Sequence, residues 1–322
     1  MDLQKYVSNI RGFNYTPSYC TTGYEQWMNF DPSIWRIEIT RGKKYFPGLN
    51  MLRVWLDWNA YLHNPAGFVQ NFGIVINICG NLGIDVNPTL FNRWHDFNYD
   101  FGGIYYDHLI GNNFKRFEKY INDLVGSFKD DPRIGMWDLC NEPRNFNKND
   151  PLCQLEVEWL KWVSDKVRST GVKQPITIGT VGVETTHETT EFKWNGFSTE
   201  WVADLCDVLC IHPYPGWWDD GQEKFCDLSV NIAKKHGKPL IANETCSGSL
   251  DDNTRVQIIN NSLKVLKDRG IGWCAWTLHA GPMVSSNREI TDCNCKPGDR
   301  AYMAFIDIDG SLRAGHEAYN LY

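Results

Sequence analysis

The sequence lacks an apolar run long enough to cross a bilayer. The longest, Phe72 to Ile84, covers about 13 residues and is broken by Asn77 and Asn81, where a spanning helix needs about 20. Positive charge is not in excess either. A net charge of −7 disfavours a phosphate backbone or an anionic membrane surface as the main partner, so neither nucleic acid nor membrane is expected. No G-x-G-x-x-G opens a helix after a strand, which removes the usual dinucleotide fingerprint. There is no low-complexity stretch and no repeat of identical motifs. The first residues, MDLQKYVSNIRG, contain no apolar h-region, so no secretory leader is expected there.

A paired cysteine framework is also missing. The 11 cysteines are an odd, dispersed set between Cys20 and Cys295, and Cys140, Cys210 and Cys274 sit inside apolar runs as small hydrophobes. That usage suits a reducing compartment, and a cytoplasmic chain is expected. Cys293 and Cys295 form a lone C-x-C with no second pair or nearby His to complete a zinc site. His187-Glu188 begins like a zinc helix motif, yet no second His stands at the required spacing.

Aromatic residues are abundant: 14 Trp, 14 Tyr and 16 Phe. Such rings fill cores, and their faces also stack on the apolar C–H faces of sugars. Otherwise, 22% charged and 42% hydrophobic residues describe an ordinary globular chain.

Short β-branched runs alternate with stretches of helical period. Strands are predicted at Gly12–Tyr15, Met51–Leu56, Ile84–Leu90, Ile134–Leu139, Ile176–Thr180, Val208–His212, Leu240–Asn243 and Gly272–Thr277. Most are continuous apolar runs, as parallel strands covered by helices require. Helical spacing is clear over Phe114–Phe128, Leu155–Val167 and Gln257–Leu266. Eight such alternations predict an α/β chain, a closed (β/α)8 barrel of the TIM type, as one domain over 1–322. Asp309-Gly310 reads as a tight turn before a short closing helix at about Gly315–Tyr322. Long loops at about 92–107 and 279–301 are expected to shape a cleft at the carboxyl ends of the strands, with a slight bias toward a closed pocket or short substrates.

Several predicted strands run into polar and aromatic residues at those ends: Arg53-Val54-Trp55, Asn141-Glu142-Pro143, His212-Pro213-Tyr214, Asn243-Glu244-Thr245 and Trp276. In a (β/α) barrel this is the active-site face. Glu142 and Glu244 each end a buried strand and each follows an Asn. A strand–helix unit takes about 30 residues, which puts the two about three units apart, on strands four and seven. Breaking a glycosidic bond needs two carboxyl groups flanking the anomeric carbon, one protonated and one ionised.

WDLCNEP at 137–143 resembles the acid/base motif of the clan A glycoside hydrolases, family 5 in particular, and PLIANET at 239–245 resembles the matching nucleophile strand. The resemblance runs from Arg11-Gly12-Phe13-Asn14-Tyr15 to Trp276. It implies a retaining β-glycoside hydrolase, with Glu142 as general acid/base and Glu244 as nucleophile. The partner would be an oligosaccharide or polysaccharide, and no metal or organic cofactor would be needed. It further implies that Arg53 holds the nucleophile, Asn141 binds the sugar 2-hydroxyl, Tyr214 bonds Glu244, His212 sits near Glu142, and Trp276 underlies the sugar. Glu142 would stay protonated beside an ionised Glu244. One position departs from the family. The histidine usual at the end of strand three is displaced to His95, or Asn92 takes its role.

Other candidates for contact with sugar are Trp58, Trp94, Trp217 and Trp218, just past strands or in cleft loops, and Asp57 with Asn59 in an outer subsite. Trp137 reads as core. The rival classes are a metal-dependent hydrolase, which would need more His and Asp at strand ends, and a non-catalytic carbohydrate-binding barrel.

Overall fold

The computed structural model describes residues 2–94, 101–143, 151–182, 199–215, 221–283, 285–288 and 302–322. Eight strands form its centre: β1 (Arg11–Tyr15), β2 (Met51–Trp55), β3 (Asp85–Asn92), β4 (Trp137–Asn141), β5 (Ile176–Gly179), β6 (Leu209–Cys210), β7 (Leu240–Ala242) and β8 (Gly272–Ala275). They make one sheet in the order β5-β4-β3-β2-β1-β8-β7-β6, and every ladder is parallel. No ladder joins β5 to β6, yet the gap is bridged. The Val208 amide donates to the Ile176 carbonyl at 3.1 Å, Thr177 Oγ1 to the Val208 carbonyl at 2.9 Å, and Thr180 Oγ1 to the Cys210 carbonyl at 2.6 Å. The result is a nearly closed (β/α)8 barrel.

Each predicted strand is present, with shifted ends. β3 extends to Asn92, and β4 begins at Trp137 because Ile134 makes only an isolated bridge to Val86. Among the helices, Phe114–Phe128 divides into a tighter turn at Phe114–Phe117 and an α-helix at Glu118–Phe128. The other two predicted stretches lie within Pro151–Ser169 and Asp252–Asp268. The apolar run from Phe72 belongs to the helix Pro65–Gly80, which opens on the Asn64 cap and a first-turn proline and buries Phe68, Phe72, Val75, Ile76, Ile78 and Cys79. None of the described helices is long and apolar enough to cross a membrane. At Asp309-Gly310 the turn forms with Gly310 at φ +84, and the final helix is a 3-10 turn over His316–Leu321.

The main core lies between barrel and helices and includes Trp35, Trp137 and Trp159, all fully buried. A smaller cluster (Val7, Ile10, Met51, Met136, Val208, Cys210, Ile241 and Cys274) packs at the amino-terminal end of the barrel. Between it and the carboxyl ends, the interior is polar: Asn14, Arg53, Thr89, Asp138 and Asn243 are all buried without exposure. Gly179 makes room for this layer. A Cβ there would lie 2.9 Å from Arg53 Nη2 and 3.2 Å from Asp138 Oδ2.

Candidate active site

Arg53, near the end of β2, organises the polar layer. Its Nη1 donates to Glu244 Oε1 at 2.6 Å and to Asn14 Oδ1 at 3.0 Å. Its Nε and Nη2 donate to Asp138 Oδ2 at 3.0 and 2.7 Å, and Nη2 also reaches Asn141 Oδ1 at 2.9 Å. Burial alone would lower the Arg53 pKa, but Asp138 and Glu244 outweigh it and raise it further. The guanidinium is therefore a fixed cation below the cleft.

Glu244, just past β7, is held on both oxygens: Oε1 by Arg53 and Oε2 by the Tyr214 hydroxyl at 2.8 Å. Glu142, just past β4, has φ +42, a left-handed backbone that costs energy for a residue with a side chain. Its amide bonds the Gly179 carbonyl at 2.7 Å, which anchors that turn. Its Oε1 meets His212 Nδ1 at 2.7 Å. Each glutamate is only 6% exposed. One oxygen from each lies within 4.8 Å of the other, a spacing that admits attack from one side and protonation from the other and leaves little room for an intervening water.

Asn141 is fixed at both ends of its amide. Its Oδ1 accepts from Arg53, and its Nδ2 donates to Asn92 Oδ1 at 3.0 Å. Asn92 in turn donates to the carbonyls of Trp94 and Gly102 at 3.0 and 2.6 Å, and accepts from the Trp94 amide. Asn92 thus holds the turn after β3 and orients Asn141.

A cleft of about 470 Å³ opens above, lined by Trp55, Asn92, Trp94, Phe101, Asn141, Glu142, Tyr214, Glu244, Trp276, Ser285 and Met303. Trp55 stands edge-on to Trp276, with centroids 5.7 Å apart, and edge-on to Phe101 at 4.9 Å. Such a wall of ring faces beside two carboxyl groups suits a sugar ring, apolar on its faces and polar on its rim.

The structure brings Arg53, Asn92, Trp94, Asn141, Glu142, His212, Tyr214, Glu244 and Trp276 together. Asp57 and Trp58 lie elsewhere. Asp57 is buried and caps the helix Trp58–His63 by accepting from the Ala60 amide at 2.8 Å, and burial raises its pKa to about 6. Trp58 is the first residue of that helix and packs edge-on against Phe117 at 4.9 Å and His108 at 5.5 Å. Asn59 donates to the Gly103 carbonyl at 3.2 Å. Trp217, Trp218, His95, His187, Glu188, Cys293 and Cys295 lie outside the described residues, as do parts of both long loops.

Sequence reasoning missed Asp138, Asn243 and Arg255. Arg255 is fully buried and donates to the carbonyls of Cys246, Ser247, Trp276 and Met303, tying the segments after β7 and β8 to the cleft wall. Burial lowers its pKa to about 10. Nothing in the sequence separates it from a surface arginine of a helix.

Glu142, His212 and Glu244 have the spacing of a metal site. Their atoms are otherwise committed: both His212 nitrogens are hydrogen-bonded, and a guanidinium sits against Glu244. The donor set does not fit a cation.

Residues 12–281 match the model of Cellulase (glycosyl hydrolase family 5). The chain belongs to glycosyl hydrolase family 5. Two curated relatives are similar in sequence. The probable mannan endo-1,4-beta-mannosidase C of Aspergillus terreus is 26% identical over 172 residues, 47% of this chain and 42% of the relative. The mannan endo-1,4-beta-mannosidase A of Podospora anserina is 26% identical over 235 residues, 61% of each. The matched segments therefore span less than two thirds of either relative. In fold, the chain is similar to the hyperthermostable endo-1,4-beta-D-mannanase from Thermotoga petrophila, with a TM-score of 0.68 and 19% identity over 96% of this chain and all of that one.

Proposed function

We propose that this family 5 chain is a retaining β-glycoside hydrolase that cleaves β-linked mannosides and related glucosides by double displacement. The observation that carries the reading is the approach of Glu142 and Glu244, with oxygens within 4.8 Å across an aromatic-walled cleft. Glu244 acts as nucleophile. Arg53 and Tyr214 both donate to it and so aim it at the anomeric carbon. Glu142 is the general acid: it gives its proton to the leaving oxygen as Glu244 bonds the anomeric carbon. Water then enters, loses a proton to Glu142 and displaces Glu244, so the anomeric configuration is retained. Asn141, clamped between Arg53 and Asn92, presents its amide to the sugar 2-hydroxyl, and Trp276 supports the ring. The two relatives named as mannan endo-1,4-beta-mannosidases favour a β-1,4-mannosidic bond.

The test is hydrolysis of aryl β-mannosides, aryl β-glucosides and β-1,4-mannan, with the first-formed anomer followed by proton NMR. A β-product at early times supports the proposal. An α-product, or no hydrolysis of any β-glycoside, overturns it. We also propose that the chain works in a reducing compartment, a reading supported by nine free, buried cysteines among the described residues.

A further inference from the structure

We propose that Asn243 is a positioning residue: it fixes His212 as an imidazolium that donates to Glu142 and leaves the acid proton on the other oxygen of that glutamate. The inference rests on the glycosidase reading and concerns where its protons lie. Asn243 precedes Glu244 on the β7 end and is fully buried. Its Nδ2 donates to Asp138 Oδ2 at 3.1 Å. A flipped amide would set its oxygen against that carboxylate, so Asp138 fixes the orientation. Oδ1 therefore faces His212 Nε2, 2.7 Å away, and the Cys210 thiol, 2.8 Å away. An amide oxygen only accepts, so Nε2 carries a hydrogen.

With Nε2 protonated, the 2.7 Å contact between His212 Nδ1 and Glu142 Oε1 holds one proton. A neutral imidazole would take it from the Glu142 carboxyl, and the acid proton would point at the ring. An imidazolium donates it instead, and the carboxyl proton then belongs on Oε2.

Charge decides between the two. Arg53 on β2, Asp138 on β4 and Glu244 past β7 are buried charged neighbours of this pair, with Tyr214 and Cys210 as neutral ones. A cationic His212 joins Arg53 in balancing Asp138 and Glu244 while Glu142 is a neutral acid. Once Glu244 is esterified and Glu142 is a carboxylate, the same two cations balance Asp138 and Glu142. With a neutral ring, both stages would bury a net negative charge, which is costly. Burial alone would lower the His212 pKa, but Glu244, 3.6 Å from Nδ1, together with the Cys210 and Glu142 contacts, raises it well above the usual value.

In the first half-reaction the Glu142 Oε2–H bond breaks, and its proton goes to the leaving oxygen as that oxygen takes the C–O electron pair. His212 keeps both protons and stabilises the new carboxylate at Oε1. In the second half-reaction the proton from water returns to Oε2. His212 carries a constant charge, and Asn243 holds it there.

The experiment is nitrogen-15 NMR of the histidine-labelled full chain, beside pH profiles of kcat/KM for the wild type, Asn243→Leu and His212→Asn. For the wild type, both His212 nitrogens should give protonated signals from about pH 5 to 8. Asn243→Leu removes the acceptor at Nε2. It should lower the pH at which His212 loses its proton, and lower the alkaline limb of kcat/KM with it, by at least about one pH unit. His212→Asn keeps a donor near Glu142 without the charge or the titration, so the limb set by His212 should disappear and Glu142 should hold its proton to higher pH than in the wild type. A wild-type His212 that is neutral near pH 7 overturns the proposal even if neither variant folds. So does an Asn243→Leu protein in which both titration and limb stay in place. The spectra need no turnover, so an inactive wild type would count against the glycosidase reading while His212 still reports on the proton placement.

Discussion

Arg53 grips Asp138 with two nitrogens, Nε and Nη2 at 3.0 and 2.7 Å from Oδ2, where neither side chain has any exposure. The remaining nitrogen, Nη1, is the one on Glu244. Asp138 therefore sets the plane of the guanidinium, and through it the aim of the proposed nucleophile. Removing one partner of a buried ion pair leaves a charge with no compensation, which costs about 3–5 kcal/mol. Asp138→Leu should lose stability in that range, read as a lower denaturant midpoint at unchanged m. A loss under about 1 kcal/mol would contradict the dependence of Arg53 on Asp138.

Glu244→Ala tests the nucleophile. Turnover should fall by several orders of magnitude, because among the described residues that line the cleft Glu244 is the carboxyl group bound to Arg53. The shortened side chain leaves space for azide, which should attack from that face and give the α-configured glycosyl azide. A β-configured azide would move the nucleophile elsewhere.

Glu142→Ala tests the acid. General acid catalysis is worth about 10²- to 10⁴-fold, and the leaving groups that need a proton feel its loss most. Activity on an unactivated disaccharide should fall within that range, and activity on a dinitrophenyl glycoside much less in the glycosylation step. Equal losses on both substrates would assign the proton donor to another group.

The barrel was legible because each strand is a short apolar run, and a parallel sheet under helices demands such runs. Both glutamates were legible because a carboxyl group at the end of such a run has no place in a core. Asp57 looked alike and was misplaced: polar residues just past a strand either face the cleft or cap the next helix. The signal for the second outcome was present, since Asp is a favoured cap directly ahead of Trp58–His63. Asp138 was hidden for another reason. It lies within WDLC, inside a buried strand, where its pairing with Arg53 two strands away, with donors from Thr89, Gly179 and Asn243, makes a charge tolerable. Asn243 gained its meaning the same way, from Asp138 on one side and His212 on the other. Sequence spacing does not encode contacts across a barrel interior. Asn92, one of two alternatives for the missing histidine, ends β3 and bonds Asn141, while the other, His95, lies outside the described residues.

Acid should destabilise the fold through a histidine remote from the proposed catalysis. His316 is fully buried, and its Nδ1 donates to the Ala314 carbonyl at 3.1 Å, which leaves Nε2 as the bare nitrogen of a neutral ring. Burial, with Arg255 and Arg313 nearby, lowers its pKa from 6.5 to about 3. In the unfolded chain it would take a proton near pH 6.5, so between those values the unfolded state binds more protons than the folded one. Its contribution is complete above about pH 6.5 and is lost progressively as pH falls toward 3, where the folded state protonates too. His316→Phe keeps the ring's edge contact with Phe305, 5.5 Å between centroids, and removes the titration. Unfolding free energies of the two proteins, compared by denaturant titration at a series of pH values, should therefore diverge. The wild type should fall more steeply between about pH 6.5 and 3, by up to about 1.4 kcal/mol per pH unit. Parallel curves over that interval would show that His316 is protonated equally in both states, and that its buried nitrogen has found a partner for its proton.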